Sequence, residues 1–403
     1  MKYLILIGDG MADYPIRELK GKTPLKTART PAMDFIARNG ISGRVKTIPE
    51  GFPPGSDIAN LVVMGYDPKR YYTGRAPLEA ASMGVELENN DIAFRCNLVT
   101  LSDNPPLKME DFSAGHISTD EAKTIIEEIN EKLGSESIKF YPGVSYRHLM
   151  VSREDFDKLT TTPPHDITGR TIDPFLPQGK GKERVIHLME ESRIILRKNK
   201  LNLKRIRESR KPANSIWLWG QGKRPNIPTF QEKYHLSGSV ISAVDLLKGL
   251  GIYAGLKVVE VPGATGYLDT NYRGKAEYAI KELKERDLVY VHVEAPDEAS
   301  HNGDLESKIK AIEEFDEKVV GTVLSGMEEF SDYRIMVLPD HFTPISLKTH
   351  SSEPVPFAIF SSNKTVNSQA SQRGFDEEST ELTGYYLEKG ETLMDLLLGD
   401  VIN

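Results

Sequence analysis

Asp340 and His341 stand side by side directly after an apolar run at residues 333–338. The run has the composition of a buried β-strand, so the pair would lie at the tip of that strand. A carboxylate beside an imidazole suits a divalent metal ion that accepts mixed oxygen and nitrogen ligands. His350 follows nearby and offers a second imidazole. The dipeptide by itself also fits a turn with a surface histidine, so the rest of the chain has to separate these two interpretations.

Two further aspartates follow apolar runs in the same way. Residues 2–7 lead to Asp9, which lies between two glycines, and residues 287–293 lead towards Asp297. Glycines beside Asp9 would let a ligand approach the backbone closely. His301 lies four positions after Asp297, so one turn of helix would place both side chains on one face. Taken singly, the first pattern also fits a tight turn with a polar tip, and the second can arise by chance.

Ser56 is a candidate for a reactive hydroxyl. The apolar residues that follow Asp57 have helical spacing, so Ser56 stands at or just before a helix N-terminus. A serine at this position is commonly only an N-cap. The free backbone N–H groups and the positive end of the helix dipole also favour an anion there. Ser56 is therefore either a cap or a nucleophilic or phosphate-binding hydroxyl.

The predicted secondary structure indicates how these groups could meet. Strand and helix patterns alternate in a second α/β block that begins near residue 214, which predicts a mostly parallel sheet. The carboxyl ends of parallel strands lie at one edge of the sheet, where ligands bind in open α/β folds. Three aspartates and three histidines there could hold two divalent ions, which would clamp a phosphoryl group during in-line displacement. A hydroxyl beside such a cation loses its proton more easily, which would activate Ser56.

Other segments give simpler predictions. Residues 30–40 predict a helix that Thr30 caps, and residues 139–151 predict a β-hairpin. Residues 66–85 have the composition of a loop. Residues 183–206 predict a single basic helix, which we interpret as a solvated face or linker. Residues 305–324 predict an amphipathic helix.

Bulk composition bounds the class of protein. The chain has 403 residues, of which 39% are hydrophobic and 27% charged, with a formal net charge of −8. This length favours two domains. The acidic balance gives no indication of a nucleic-acid or anionic-membrane partner. No apolar run approaches the roughly 18 residues that a membrane helix needs.

The cysteine count, the N-terminal segment and the absence of certain motifs exclude further classes of protein. Cys96 is the single cysteine, which excludes a disulfide framework and a cysteine-based zinc site. The N-terminal apolar run is interrupted by glycines, unlike a signal peptide, so we expect a cytoplasmic protein. The absence of a P-loop, of G-x-S-x-G and of G-x-G-x-x-G argues against a nucleotide-driven kinase or an α/β-hydrolase.

Eight short motifs carry a resemblance to a known family. They are Ile-Gly-Asp-Gly-Met at 7–11, Pro-Pro-Gly-Ser-Asp at 53–57, Tyr-Thr-Gly-Arg at 72–75, Phe-Arg-Cys-Asn-Leu at 94–98, Ser-Tyr-Arg at 145–147, Ile-Trp-Leu-Trp-Gly-Gln-Gly at 216–222, Gly-Ala-Thr-Gly-Tyr-Leu-Asp-Thr-Asn-Tyr at 263–272 and Leu-Pro-Asp-His at 338–341. In combination they resemble the archaeal-type cofactor-independent phosphoglycerate mutases, a branch of the alkaline phosphatase superfamily. The resemblance covers essentially the whole chain.

The resemblance implies an α/β fold of the alkaline phosphatase type, with a mostly parallel sheet flanked by helices and a smaller inserted α/β lid domain. We predict a discontinuous metal-binding core of residues 1–84 and 206–403, and a substrate-binding lid of residues 85–205. The implied activity is the interconversion of 2-phosphoglycerate and 3-phosphoglycerate, independent of 2,3-bisphosphoglycerate. The binding partner is then the substrate, a small phosphorylated glycerate. The resemblance leaves open whether the chain forms a homo-oligomer. A lid would keep water from a phosphoserine intermediate.

The resemblance also implies roles for individual residues. Ser56 would be the nucleophile that takes the phosphoryl group. One metal ion would be held by Asp9, Ser56, Asp340 and His341, and the other by Asp297, His301 and His350. Mixed carboxylate and imidazole ligands suit Mn²⁺, Zn²⁺ or Co²⁺ better than Mg²⁺ or Ca²⁺, and the family favours Mn²⁺.

Three residues are candidates for substrate binding. Arg147 would clamp the substrate carboxylate, because arginine binds carboxylates through two parallel hydrogen bonds, or it is a surface strand residue. By looser similarity, His116 would help to reposition glycerate and Lys248 would face a phosphate, and structural roles are the alternative for both. The inserted domain is shorter than that of the larger bacterial form of the mutase.

Two other functions compete with the mutase. One is a phosphomutase or phosphomonoesterase of the same superfamily that acts on a different small phosphate ester, with the same metal ligands. The other is a non-catalytic protein that binds a metal or a phosphate ester. Such a protein would be expected to have lost a ligand or the nucleophile, and all seven positions are intact.

Overall fold

A computed structural model describes residues 1–156, 158–363 and 374–399. The chain divides into two compact units, one made of Met1–Tyr72 with Asn226–Asn403 and the other of Thr73–Pro225. The first is called the core unit below and the second the inserted unit. The inserted unit begins before residue 85 and ends after residue 205, the bounds predicted for the inserted domain.

The strands, in chain order, are β1 Lys2–Gly8, β2 Ile41–Val45, β3 Ile92–Leu101, β4 Met109–Asp111, β5 Ile138–Tyr141, β6 Arg147–Ser152, β7 Leu159–Thr160, β8 Gln178–Gly179, β9 Ser215–Lys223, β10 Gly238–Ile241, β11 Lys257–Val258, β12 Leu288–Val293, β13 Tyr333–Leu338, β14 Val355–Ser361 and β15 Tyr386–Leu387. The α-helices are α1 Pro24–Thr27, α2 Pro31–Asn39, α3 Ser56–Val63, α4 Pro68–Tyr71, α5 Ala76–Ser82, α6 Thr119–Leu133, α7 Lys182–Leu196, α8 Lys200–Arg207, α9 Phe230–Tyr234, α10 Asp245–Tyr253, α11 Tyr272–Leu283, α12 Ala295–Asn302, α13 Leu305–Glu314, α14 Gly321–Met327, α15 Glu377–Glu381 and α16 Leu393–Leu398.

The core unit is organised by an eight-stranded sheet in the order β11-β10-β12-β1-β13-β14-β2-β15. Strands β12, β1 and β13 pair in parallel, and β14 runs antiparallel to both of its neighbours. The side chains of Leu4, Ile5, Leu6 and Ile7 in β1 are fully buried, as expected for a central strand covered on both faces. The predicted fold class, a mostly parallel sheet flanked by helices, is confirmed.

Helix α2 has an unexpected cap. A π-helical turn, Phe315–Val320, separates α13 from α14 and interrupts the single helix predicted for residues 305–324. The Asp316 carboxylate in this turn accepts hydrogen bonds from the backbone N–H groups of Ala32 (3.1 Å) and Met33 (2.7 Å). In the described part of the chain, Asp316 rather than the Thr30 side chain therefore caps α2, a contact that local sequence does not reveal.

This cap gives a stability prediction. Asp316→Ala is expected to lower the free energy of unfolding by about 0.5–2 kcal/mol, because two N–H groups at the start of α2 lose their acceptor. Denaturant unfolding would measure the change. The control is Glu317→Ala, an exposed acidic residue in the same turn, which should shift the same free energy by less than about 0.5 kcal/mol. Equal losses in the two variants would contradict the capping role.

The inserted unit is built on a second sheet. Strands β4, β3, β6 and β5 follow one another in that order, and β9 also pairs with β3, with every pairing antiparallel. The predicted hairpin at residues 139–151 is present as β5 and β6. Strand β9, which we expected to open the second α/β block of the core, belongs to the inserted unit because it pairs with β3 along most of its length.

Two further segments differ from their predictions. Residues 66–85 contain α4 and α5, because Asp67 with Pro68 and Pro77 near the start of α5 act as helix-start signals rather than as turns. The single basic helix expected at residues 183–206 is two helices, because Asn199 leaves the helical path and caps α8 through Leu201 and Asn202. Among the described residues, no helix is long and apolar enough to cross a membrane.

Candidate active site

The candidate site lies at the carboxyl edge of the core sheet. Asp9 follows β1, Asp340 and His341 follow β13, and β12 leads into α12, which carries Asp297 and His301. Because β12, β1 and β13 are adjacent and parallel, these side chains converge at one edge. The convergence expected from the apolar runs is therefore present in the fold.

Asp9, Asp340 and His341 form the first cluster. One ligand atom from each lies within 4.8 Å of the others, and all three side chains are buried. His341 Nε2 is 3.4 Å from Asp9 Oδ1 and 3.5 Å from Asp340 Oδ2. Two carboxylates and an imidazole thus face one small volume.

Ser56 adjoins the first cluster. It is the first residue of α3, and its Oγ lies 3.0 Å from His341 Nε2. The N-cap of this helix is Gly55, so Ser56 does not have the capping role that its position in the sequence also allowed. The hydroxyl lies instead where an anion would meet free backbone N–H groups at the start of the helix.

Asp297, His301 and His350 form the second cluster, again with ligand atoms within 4.8 Å of one another. His301 Nε2 lies 3.1 Å from Asp297 Oδ2 and 3.0 Å from His350 Nε2. His350 Nε2 lies 3.5 Å from Asp297 Oδ1. As their spacing predicts, Asp297 and His301 occupy one face of α12, and the loop after β13 brings His350 to them.

Thr343 connects the two clusters. Its Oγ1 donates a hydrogen bond to Asp297 Oδ1 (2.6 Å) and lies 3.1 Å from His341 Nδ1. The rings of His341 and His350 also lie close together, with centroids 4.1 Å apart. The clusters are therefore neighbours, in the arrangement expected of a site that holds two ions around one substrate group.

Electrostatics in the clusters favour a cation. Burial, reinforced by the nearby Asp340 carboxylate, raises the pKa of Asp9 well above its usual range. Burial opposes ionisation of Asp297 as well, yet its contacts with His301 and His350 hold its pKa well below the usual range. Asp9 Oδ1 is buried with no hydrogen-bond partner among the described residues. Carboxylate and imidazole donors with an unsatisfied oxygen fit a divalent metal ion.

Asn60 and His292 belong to the site but were not predicted. Asn60 Nδ2 donates to both Ser56 O and Asp340 Oδ2, each at 2.8 Å, and Tyr290 Oη donates to Asn60 Oδ1 at 2.5 Å. His292 Nε2 lies 3.0 Å from Asp9 Oδ2. The available signals were the four-residue spacing from Ser56 to Asn60 and an imidazole inside the otherwise apolar run of β12.

The predicted substrate-binding residues are divided between the units. In the inserted unit, His116 and Arg147 are exposed and both lie near Tyr146. The ring centroids of His116 and Tyr146 are 6.3 Å apart, and the guanidinium carbon of Arg147 is 5.9 Å from the Tyr146 ring centroid. Lys248 lies on α10 of the core unit, where its ammonium group forms an ion pair with Glu260 at 2.7 Å. His116 and Arg147 thus share Tyr146 as a neighbour, whereas Lys248 lies in the other unit.

The fold and the site define a class of protein: a mixed α/β protein with two carboxylate–imidazole clusters at the carboxyl edge of its main sheet. Residues 37–202 match the family model described as 2,3-bisphosphoglycerate-independent phosphoglycerate mutase. The chain is 56% identical over 400 residues to the protein of that name from Methanosarcina acetivorans, covering 99% of this chain and 100% of the relative. It is 53% identical over 358 residues to 2,3-bisphosphoglycerate-independent phosphoglycerate mutase 2 from Methanothermobacter thermautotrophicus, covering 88% of each chain. The chain belongs to this family.

Solved structures agree with this assignment. A protein from Pyrococcus horikoshii matches with a TM-score of 0.81 at 28% identity, covering 98% of this chain and 96% of the other. The cofactor-independent phosphoglycerate mutase from Thermoplasma acidophilum matches with a TM-score of 0.66 at 27% identity, covering 99% of each chain. The resemblance inferred from the motifs, and with it the enzyme class, is confirmed.

Proposed function

We propose that this chain interconverts 2-phosphoglycerate and 3-phosphoglycerate through a phosphoserine at Ser56, without 2,3-bisphosphoglycerate. Family membership supports the reaction. The observation that carries the mechanism is the position of Ser56 Oγ, at the start of α3 and 3.0 Å from His341 Nε2 of the first cluster. A serine hydroxyl is a weak nucleophile until an adjacent base or a bound metal ion activates it.

Two divalent ions belong to this proposal. Asp9, Ser56, Asp340 and His341 would hold one, and Asp297, His301 and His350 the other. When bound, the ions supply positive charge that stabilises a phosphoryl group in displacement and favours ionisation of a nearby hydroxyl. The donor set mixes carboxylates and imidazoles, which suits Mn²⁺, Zn²⁺ or Co²⁺. We propose Mn²⁺ first among them because the family resemblance favours it.

The chain's own residues account for the transfer. Ser56 Oγ gives up its proton and attacks phosphorus in line, the bond from phosphorus to one glycerate oxygen breaks, and that oxygen takes up a proton in place of the one that Ser56 lost. The N-terminal N–H groups of α3 orient the phosphoryl oxygens. Glycerate then presents its other hydroxyl, which gives up its proton and attacks phosphorus. The bond from phosphorus to Ser56 Oγ breaks, and Ser56 Oγ takes up a proton to regain its hydroxyl form. Asn60 holds the start of α3 against Asp340 throughout, through its two hydrogen bonds.

Substrate binding by the inserted unit is a further part of the proposal. Arg147 would clamp the glycerate carboxylate, His116 would help glycerate to reorient, and Lys248 of the core unit would face a phosphate. The exposure of His116 and Arg147, both near the Tyr146 ring, supports a shared binding surface within the inserted unit. Acting as a lid, this unit would exclude water, because hydrolysis of the phosphoserine would turn the mutase into a phosphatase.

The proposal is tested by an assay of 3-phosphoglycerate coupled to enolase, without 2,3-bisphosphoglycerate and with or without Mn²⁺. Released phosphate is measured in the same samples. We expect Mn²⁺-dependent formation of 2-phosphoglycerate with little phosphate. Release of phosphate without 2-phosphoglycerate would retain the metal site but exclude the mutase. Mn²⁺ binding without either product would indicate a different phosphate ester as substrate.

A further inference from the structure

A fully buried lysine lies beside the clusters but belongs to neither of them. Lys308, on α13, has a fully buried ammonium group. It donates hydrogen bonds to Asp13 Oδ2 (2.8 Å), Thr343 O (2.9 Å) and Ala12 O (3.3 Å). An ammonium group has three donors, so these acceptors use its full capacity. Lys308 therefore has no donor left for a substrate, and its function lies in what it connects.

The three acceptors belong to the loops that carry the cluster residues. Ala12 and Asp13 lie in the loop after β1, shortly after Asp9. Thr343 lies in the loop after β13, two positions beyond His341. Lys308 itself lies on α13, which directly follows α12. Asp297 and His301 belong to α12. One ammonium group on α13 thus joins the loop after β1, which supplies Asp9, to the loop after β13, which supplies Asp340, His341 and His350.

Asp13 extends this connection. Its Oδ2 also accepts a hydrogen bond from the backbone N–H of Ile345 (3.1 Å), so the carboxylate holds the loop after β13 as well. Its own N–H donates to Glu377 Oε1 (3.0 Å), and the other oxygen of Glu377 accepts from Thr23 Oγ1 (2.6 Å). The loop after β1 is therefore fixed from two sides.

A contribution to stability does not by itself explain why the fold contains the buried ion pair between Lys308 and Asp13. Removing two charges from water costs several kcal/mol per ion, and well-packed apolar residues of similar volume often stabilise a fold as well or better. What a buried pair supplies is a defined geometry, because each donor and acceptor needs a partner in one position. In this chain, the buried pair fixes the distance between the loop after β1 and the loop after β13.

We propose that Lys308 and Asp13 are positioning residues that hold the two metal-ligand loops in register and thereby set the affinity for divalent ions. The inference rests on the proposed function only in placing ions in the two clusters. It assigns a role to a part of the fold that touches neither substrate nor ion. Outer residues that orient metal ligands commonly change metal affinity or activity by about 10–100-fold when they are replaced.

The test uses the full-length chain and Mn²⁺ as the probe. Lys308→Met alone leaves the Asp13 carboxylate buried without its cation, which can prevent folding. The decisive variant is therefore Lys308→Met with Asp13→Asn, which removes both charges. We expect this double variant to fold, to bind Mn²⁺ about 10–100-fold more weakly by calorimetry, and to show a lower kcat at saturating Mn²⁺ with KM little changed.

Arg334→Met is the matched control. Arg334 is another buried cation of the core unit, but it lies at the amino end of β13, where it donates to the carbonyl oxygens of Leu397 (2.7 Å) and Gly399 (2.5 Å). Its loss should lower thermal stability and leave Mn²⁺ affinity within about 2-fold of wild type, because the carboxyl edge of the sheet is untouched.

Several outcomes would overturn the inference. A folded double variant with wild-type Mn²⁺ affinity would do so, as would an equal loss of affinity in the Arg334 variant. A wild-type chain that binds no Mn²⁺ would remove both the inference and the metal part of the proposed function. A wild type that binds Mn²⁺ but makes no 2-phosphoglycerate would exclude the mutase, while weaker Mn²⁺ binding by the double variant would still support the positioning role.

Discussion

Replacing Ser56 with alanine is expected to lower kcat for the conversion of 3-phosphoglycerate at least about 1,000-fold. The substitution removes the oxygen that lies 3.0 Å from His341 Nε2 and that would carry the phosphoryl group. The imidazole and carboxylate groups remain, so substrate can still bind but has no acceptor for its phosphoryl group. The enolase-coupled assay measures the loss directly.

Ser325→Ala is the control for this variant. Ser325 is exposed on α14, and its replacement should leave kcat within about 2-fold of wild type. Thermal unfolding of both variants would show that neither has lost the fold. A Ser56→Ala variant that keeps more than about a tenth of the wild-type kcat would exclude Ser56 as the nucleophile.

Removing the divalent ions is expected to abolish turnover and to lower stability. Without a cation, the two buried carboxylates of the first cluster lie close to each other, and the pKa of Asp9 is raised by its burial and, after that, by repulsion from Asp340. An ion present at 100 times its dissociation constant stabilises the folded state by about 2.7 kcal/mol for each site. Chelation should therefore lower the Tm by several degrees, and added Mn²⁺ should restore both Tm and activity.

A comparison of two variants, Asp297→Asn and its control Glu306→Gln, tests whether the effect of the ions depends on the second cluster. Asp297 contacts both histidines of the second cluster, whereas Glu306 is exposed on the neighbouring helix. Asp297→Asn should bind fewer Mn²⁺ ions and gain less Tm on Mn²⁺ addition, while Glu306→Gln should respond as wild type does. Full activity in the presence of excess chelator, with no bound metal detected, would contradict the two-ion proposal.

The sequence allows the prediction of groups that follow buried strands. A central parallel strand is covered on both faces, so it appears as a continuous apolar run, and the polar residue after it marks the functional edge of the sheet. This pattern predicts Asp9, Asp297 and Asp340. His301 and Ser56 needed only helical spacing. These signals are local. Each strand and the polar residue that follows it lie within one short segment, so no contact between distant segments is needed to predict them.

Contacts between distant segments could not be predicted in the same way. The membership of β9 in the inserted unit depends on its pairing with β3, more than a hundred residues earlier in the chain. Lys308 appears in the sequence as an ordinary residue of an amphipathic helix, and its hydrogen bonds to the loops after β1 and β13 arise only from folding. Asp316 contacts the start of α2 from a π-helical turn, and neither the turn nor the contact is visible in the helical spacing of residues 305–324.

The central claim is that Ser56 carries the phosphoryl group during turnover, and a rapid-quench experiment tests it most directly. Wild-type enzyme with Mn²⁺ is mixed with 3-phosphoglycerate, quenched within the first turnovers, digested and analysed by mass spectrometry. The account predicts a phosphoryl group on Ser56 in wild type and none on this peptide in Ser56→Ala. Turnover with Ser56 unmodified at every quench time, or with the phosphoryl group on another residue, would contradict it.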